Sequence, residues 1–157
     1  MKIEDYLYHR DPYLLIEKVE SISHKQITTS KELREDEFYF KGHFPSAPVL
    51  PGALMQEMTT QSAGILIAKE YNPLGEDYDT NNFDPKRPAL GVLSRVKDAR
   101  YKSFARPGDH LHIQVDLIEN LDNYFEFKAK IHCGDKLIMS NHFILSNILS
   151  QELIASS

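Results

Sequence analysis

The sequence predicts an α+β domain in which a curved antiparallel sheet wraps one long central helix. Three observations carry this: a single stretch, 53–71, bounded by helix signals at both ends; four strand-like segments after it, two of them with alternating apolar residues; and one short hairpin before it. A lone buried helix followed by a run of strands is satisfied when the apolar face of the sheet closes over the helix.

The elements follow in order. A short helical turn is predicted over 3–9, then strands over 13–22 and 26–33, paired as a hairpin across Ser23 to Lys25. Ile27, Thr28 and Thr29 give the second of these its β-branched character. The segment 36–50 holds Gly42, Pro45, Pro48 and scattered aromatics without a period, which predicts an irregular packed loop. The helix over 53–71 has Pro51 before it and Asn72-Pro73 after it; proline lacks the amide donor and disfavours helix in the residue before it. Ala63 to Ala68 are apolar nearly all round, the pattern of an enclosed helix. A long loop rich in Asn, Asp, Gly and Pro covers 72–88, and strands follow over 89–104, 109–119, 124–132 and 136–146. Leu111, Ile113, Val115 and Leu117 alternate with polar residues, as do Phe125, Phe127, Ala129 and Ile131, so each of these strands has one apolar face.

Bulk properties bound the function. A chain of 157 residues with 41% hydrophobic and 26% charged residues, eight Tyr and eight Phe reads as one folded domain, 1–157. Cys133 is the only cysteine, so one chain holds neither a disulfide nor a cysteine metal cage. The charged N-terminus lacks the apolar stretch of a secretion signal, and no segment has the apolar length of a membrane span; a cytoplasmic protein is expected. A net charge of −5 argues against general binding to nucleic acid or anionic membrane. Between Lys86 and Arg106, however, seven basic residues face one acid, Asp98, a local +6 suited to steering an acidic or phosphate-bearing partner, or simply a solvated strand face.

The chemistry-bearing segment runs from Gly42 to Glu57. His43 sits in a loop stiffened by Pro45, Pro48 and Pro51, Gly52 stands at the helix start, and Glu57 lies in the first two helical turns. A histidine, with an unperturbed pKa of about 6.5, can accept a proton near neutral pH. A carboxyl on an enclosed helix is favoured as the protonated acid by desolvation. The free amide of Gly52 is placed to donate to an oxygen on which negative charge develops. Gln61, four residues after Glu57, shares its helical face and can orient the carboxyl group. Taken by themselves, these residues fit better a structural loop histidine, a glutamate complementing the helix dipole and an ordinary Pro-Gly turn.

The segment from His43 to Glu57 resembles the signature of the 3-hydroxyacyl-(acyl-carrier-protein) dehydratases of the FabZ/FabA family. His9-Arg10-Asp11-Pro12-Tyr13 resembles the family's opening His-Arg-x-Pro strand, and Asp98 to Lys102 with Arg106-Pro107-Gly108-Asp109 resembles its central strand and turn. The likeness spans roughly residues 3 to 148. It implies a hotdog fold and a homodimer whose active sites each take His from one chain and the acid from the other; further association into a trimer of dimers is left open. By motif position, His43 and Glu57 are the implied catalytic pair, with Gly52 the backbone donor to the thioester carbonyl. Glu rather than Asp at position 57 is similar to the FabZ branch, which dehydrates without isomerising. The implied reaction needs no metal or redox cofactor. The implied partner is an acyl carrier protein bearing a phosphopantetheine-linked acyl chain, for which Lys97, Arg100 and Lys102 form a docking surface.

Two departures qualify the match: Ser46 stands where the family has Gly after His-Phe-Pro, which puts the width of the site in question, and 72–88 is longer than the usual connection and is expected near the tunnel mouth. A hotdog thioesterase, a non-catalytic carrier-binding subunit and a specialised lipid pathway stand as alternatives. His110 and His112 share one strand side but lack a third ligand, so an exposed face is expected. Ser46 lacks a base and an oxyanion partner, and His132, His142 and Cys133 show no activating pattern.

Overall fold

The helix predicted over 53–71 forms as α2, Gly52–Glu70, in a computed structural model that describes residues 1–154. Pro51 occupies its N-cap, and its carbonyl accepts from the amides of Leu54 and Met55. At the other end the Tyr71 amide donates to the Ile67 carbonyl before Pro73 stops the helix. From Met58 to Ala68 every residue is buried, so this part of α2 has no solvent face.

Six strands enclose it: β1 (Lys18–Ile22), β2 (Gln26–Glu32), β3 (Pro88–Tyr101), β4 (His110–Leu121), β5 (Tyr124–Cys133) and β6 (Lys136–Leu149). They form one antiparallel sheet in the order β1-β2-β4-β5-β6-β3. The alternation read from the sequence is the burial pattern found: Leu111, Ile113 and Val115 are fully buried, as are Phe127 and Ile131, and all pack in the cluster that holds Met58, Ile65 and Leu66 of α2. The tight turns that begin at Asp122 and Gly134 have φ of +52° and +56°, a twist that suits hairpin strands. Several polar groups under the sheet are paired: Thr29 with Ser62 at 2.7 Å, and the Asn141 Nδ2 group with Gln56 and Thr59, both at 2.8 Å. Where β3 crosses α2, Gly91 adopts φ +70°, and a Cβ there would come within 3.3 Å of the Gly64 Cα. The close crossing of helix and strand therefore needs glycine.

The structure departs from expectation in three places. The first strand begins only at Lys18, because the backbone from Tyr13 to Leu15 bonds to the Gln61 side chain instead of a neighbouring strand. The 36–50 loop contains a short helix, α1 (Phe38–Gly42), which buries Tyr39 and Phe40. The predicted helical turn at the N-terminus is a single 3-10 turn, Ile3–Asp5.

The two sheet edges differ. β1 is short and carries Lys18 and Glu20. β3 has 14 residues, pairs only with β6, and shifts register three times along that pairing. Its second edge is open, and Leu93, Val96 and Tyr101 on it are exposed.

Candidate active site

His43 follows α1 directly, and its ring is fixed by the loop it begins. Its Nδ1 lies 2.8 Å from the Val49 carbonyl oxygen. A carbonyl only accepts, so Nδ1 carries the proton, and in the neutral ring the lone pair is on Nε2. Phe44 is held at φ +51°, a conformation that costs energy for a bulky residue and that clusters at functional sites. The next residues close a turn in which the Ala47 amide donates to the Phe44 carbonyl at 2.8 Å, and the Leu50 amide ties the loop to Ala105 at 2.8 Å.

This loop faces the start of α2 across a cavity of about 230 Å³, whose walls include His43, Gly52, Met55, Tyr101, Lys102 and Phe104. Gly52 is there for a steric reason. A Cβ at this position would stand 2.9 Å from Tyr101 Cε1, so only glycine lets that ring lie against the helix start. As the first residue of α2, Gly52 has an amide with no acceptor inside the helix, open to a ligand oxygen beside His43.

Glu57 is not in that cavity. One and a half turns into α2, its Oε1 accepts from Gln61 Nε2 at 3.0 Å and lies 3.4 Å from His9 Nε2, with its side chain 17% exposed. Tyr13 stacks on His9 with ring centroids 6.0 Å apart; burial, and after it the Glu57 charge, pushes its phenol above the ordinary value. Gln61 is only 1% exposed. Besides Glu57 it serves the Leu15 amide (2.9 Å) and the Tyr13 carbonyl (2.8 Å), bonding the N-terminal segment to the helix. Within one chain, then, His43 with Gly52 and Glu57 with Gln61 form two separate clusters.

The basic segment is uneven. Lys97 is bonded to Glu126 at 2.5 Å, and Arg100 to Asp98 at 3.1 Å, whereas Lys102 lines the His43 cavity. Ser46 is exposed at the turn, has no positive φ that would call for glycine, and is not part of that cavity's wall. The 72–88 loop also stays clear of that cavity: Arg10 holds it through the Thr80 carbonyl at 3.0 Å and Asn81 Oδ1 at 3.2 Å, and Tyr78 donates to the Tyr6 carbonyl at 3.1 Å. His110 and His112 are exposed, with ring centroids 5.1 Å apart. Three participants escaped the sequence reading: the Val49 carbonyl, the Tyr101 ring and the His9 imidazole. All three lie in segments that resemble the family's, His9 at the head of His-Arg-x-Pro, Val49 in the loop after His43 and Tyr101 in the central strand, but nothing in those segments states their contacts.

A sheet wrapped on one buried helix, with a loop histidine facing the helix start, defines a hotdog-fold protein. The chain belongs to the FabA-like domain family, whose model matches residues 7–142. It is 36% identical over 137 residues to the 3-hydroxyacyl-(acyl-carrier-protein) dehydratase FabZ of Cupriavidus taiwanensis, covering 87% of this chain and 85% of that protein. It is 32% identical over 143 residues to the protein of the same name from Rickettsia bellii, covering 90% of each. Among solved structures, the dehydratase heterocomplex ApeI:P from Xenorhabdus doucetiae aligns with a TM-score of 0.77 at 19% identity, over 98% of this chain and 95% of that one. A hypothetical thioesterase with coenzyme A from Streptococcus pneumoniae aligns at 0.60 and 8% identity, over 83% and 84%. At such identities these two establish the fold. No helix among the described residues is long and apolar enough to cross a membrane.

Proposed function

We propose that this chain, as a single domain, is a hydro-lyase that converts a (3R)-3-hydroxyacyl-(acyl-carrier-protein) to the trans-2-enoyl thioester in fatty acid or related lipid biosynthesis. The observation that carries the chemistry is the His43–Val49 bond, which leaves Nε2 as a free base beside the unpaired Gly52 amide. Nε2 takes the proton from C2 while the Gly52 amide binds the thioester oxygen as it gains charge. The C2–C3 double bond forms as the C3–O bond breaks, and Glu57 gives its proton to the departing hydroxyl, which leaves as water. His43 ends protonated and Glu57 ionised, and solvent returns both to their starting states.

The acid comes from a second copy. The open, partly apolar edge of β3 is a ready template for antiparallel pairing with another β3 across a two-fold axis. Such a homodimer joins the His43–Gly52 half of one copy to the Glu57–Gln61 half of the other. The substrate arrives on a carrier protein in the cytoplasm, with Lys102 beside the cavity as the first contact for its phosphate-bearing arm and Lys97 and Arg100 further along β3.

Incubation with 3-hydroxyacyl carrier protein tests this reading. An enoyl carrier product is expected. Free acid and carrier thiol with no enoyl product would make the chain a thioesterase, and binding without turnover would make it a carrier-binding subunit.

A further inference from the structure

The mechanism above needs a Glu57 whose proton sits on the oxygen that faces the substrate, and nothing in that mechanism fixes which oxygen this is. Two side chains approach the carboxyl, and both approach the same atom: Gln61 Nε2 at 3.0 Å and His9 Nε2 at 3.4 Å from Oε1. Gln61 Nε2 is a donor, so Oε1 acts as acceptor there. His9 adds a second donor only if its proton is on Nε2.

The surroundings of His9 decide its form. Its Nδ1 is buried and has no partner. An Nδ1–H at that spot would be a buried donor with no acceptor, and an imidazolium would add charge to the same cost. A bare lone pair is the least costly occupant. Tyr13 stacks on the ring, the Glu57 carboxyl lies at Nε2 as the acceptor for a proton carried there, and the Arg10 guanidinium is bonded to the His9 carbonyl at 2.9 Å. Arg10 also bonds to Leu7 and Thr80, so the backbone that carries His9 is held from both sides.

We infer that His9 is a positioning residue for the acid: as neutral imidazole protonated on Nε2, it holds Oε1 of Glu57 together with Gln61 and leaves the transferable proton on Oε2. This rests on the dehydratase reading. The 3.4 Å separation is longer than a formed hydrogen bond, and for His9 to play this part it must shorten when the acid engages substrate. An imidazolium at this place would do the opposite, keeping Glu57 ionised and unable to protonate the leaving hydroxyl.

Long-range proton–nitrogen NMR of the labelled protein at about pH 7.5, near which an unperturbed imidazole is largely neutral, reads the His9 tautomer without any substrate. The Nε2–H form is expected, and its ring nitrogen shifts should move in Glu57→Gln. An Nδ1–H form, a doubly protonated ring, or shifts indifferent to Glu57→Gln would overturn the inference. Kinetics supply the second arm. His9→Phe keeps the stacking on Tyr13 but removes the donor, and should lower kcat roughly tenfold to a hundredfold with KM little changed, the alkaline limb of the rate profile moving to higher pH. His9→Gln keeps a neutral donor at the same reach and should recover most of that loss. Equal losses in both variants, or none in His9→Phe, would remove His9 from the mechanism. A wild-type protein that makes no enoyl product would sink the dehydratase reading, while the tautomer would still decide the contact.

Discussion

The Nδ1 atom of His43 lies 2.8 Å from the carbonyl oxygen of Val49, six residues further along the same loop. The loop thus sets the tautomer of its own histidine, and the prolines at 45, 48 and 51 keep donor and acceptor at that separation. This bond and the placing of Glu57 outside the His43 cavity motivate the first prediction.

His43→Ala and Glu57→Gln should each lower dehydration by about 10²- to 10⁴-fold, the usual contribution of a positioned acid or base. Mixed as co-refolded chains, the two dead variants should recover about a quarter of wild-type activity: in a two-fold dimer half of the pairs are mixed, and each mixed pair holds one intact site. Absence of recovery, with mixed dimers demonstrated by mass spectrometry, would place both residues in one chain's site.

Gly52→Ala puts a methyl group 2.9 Å from the Tyr101 ring. That ring is 51% exposed and can swing aside, so the melting temperature should change little while turnover falls about tenfold or more as the Gly52 amide is crowded. Tyr101→Ala in the same background should restore part of the rate. Unchanged turnover in Gly52→Ala would exclude the amide as the carbonyl donor.

Gln61→Leu removes the partner of two backbone groups, the Leu15 amide and the Tyr13 carbonyl, at a position that water does not reach. Urea unfolding should show a loss of about 2–4 kcal/mol. A loss under about 1 kcal/mol would mean that the N-terminal segment finds other partners.

The Glu126 carboxyl is held below its ordinary value, first by its hydrogen bond from Lys97 and also by His142, against burial acting in the other direction. A depressed folded value means that its stabilisation is present above the unfolded carboxylate range and is lost as pH falls through the lowered value. Lys97→Ala should therefore raise the pH midpoint of acid unfolding, followed by circular dichroism; an unmoved midpoint would show that the pair adds nothing.

Lys102 carries the cleaner test of carrier docking, since altering Lys97 also frees Glu126 and altering Arg100 frees Asp98. Lys102→Glu should raise KM for the carrier-linked substrate several-fold and leave a carrier-free thioester analogue nearly unaffected, with an effect that shrinks as salt rises. Equal effects on both substrates would locate Lys102 in the chemistry and not in docking.

Much of this protein was legible in its sequence because the signals were local. Period-two alternation in β4 and β5, the Pro51 and Pro73 boundaries of α2 and the apolar run from Ala63 to Ala68 each state which face must be buried, and the sheet wrapped on a helix follows from them. His43, Gly52 and Glu57 lie within fifteen residues of one another and carry a motif, so as a candidate site they too could be picked out from the chain. Gln61 was placed beside Glu57 by helical spacing alone, and the 3.0 Å contact is there.

Only the tertiary structure could decide the rest, because those contacts join residues distant in sequence and obey no period. Gln61 reaches across 46 residues to Leu15 and so stops the first strand from extending to Tyr13. Tyr101 meets Gly52 because β3 runs past the start of α2. His9 meets Glu57 because Arg10 and Gln61 bind the N-terminal segment to the loop and the helix. The sequence by itself determined which groups are chemically able to act; the packing of β3 and the N-terminal segment on α2 decided where each group points, since the orientation of a side chain is set by neighbours that its own stretch of chain does not contain.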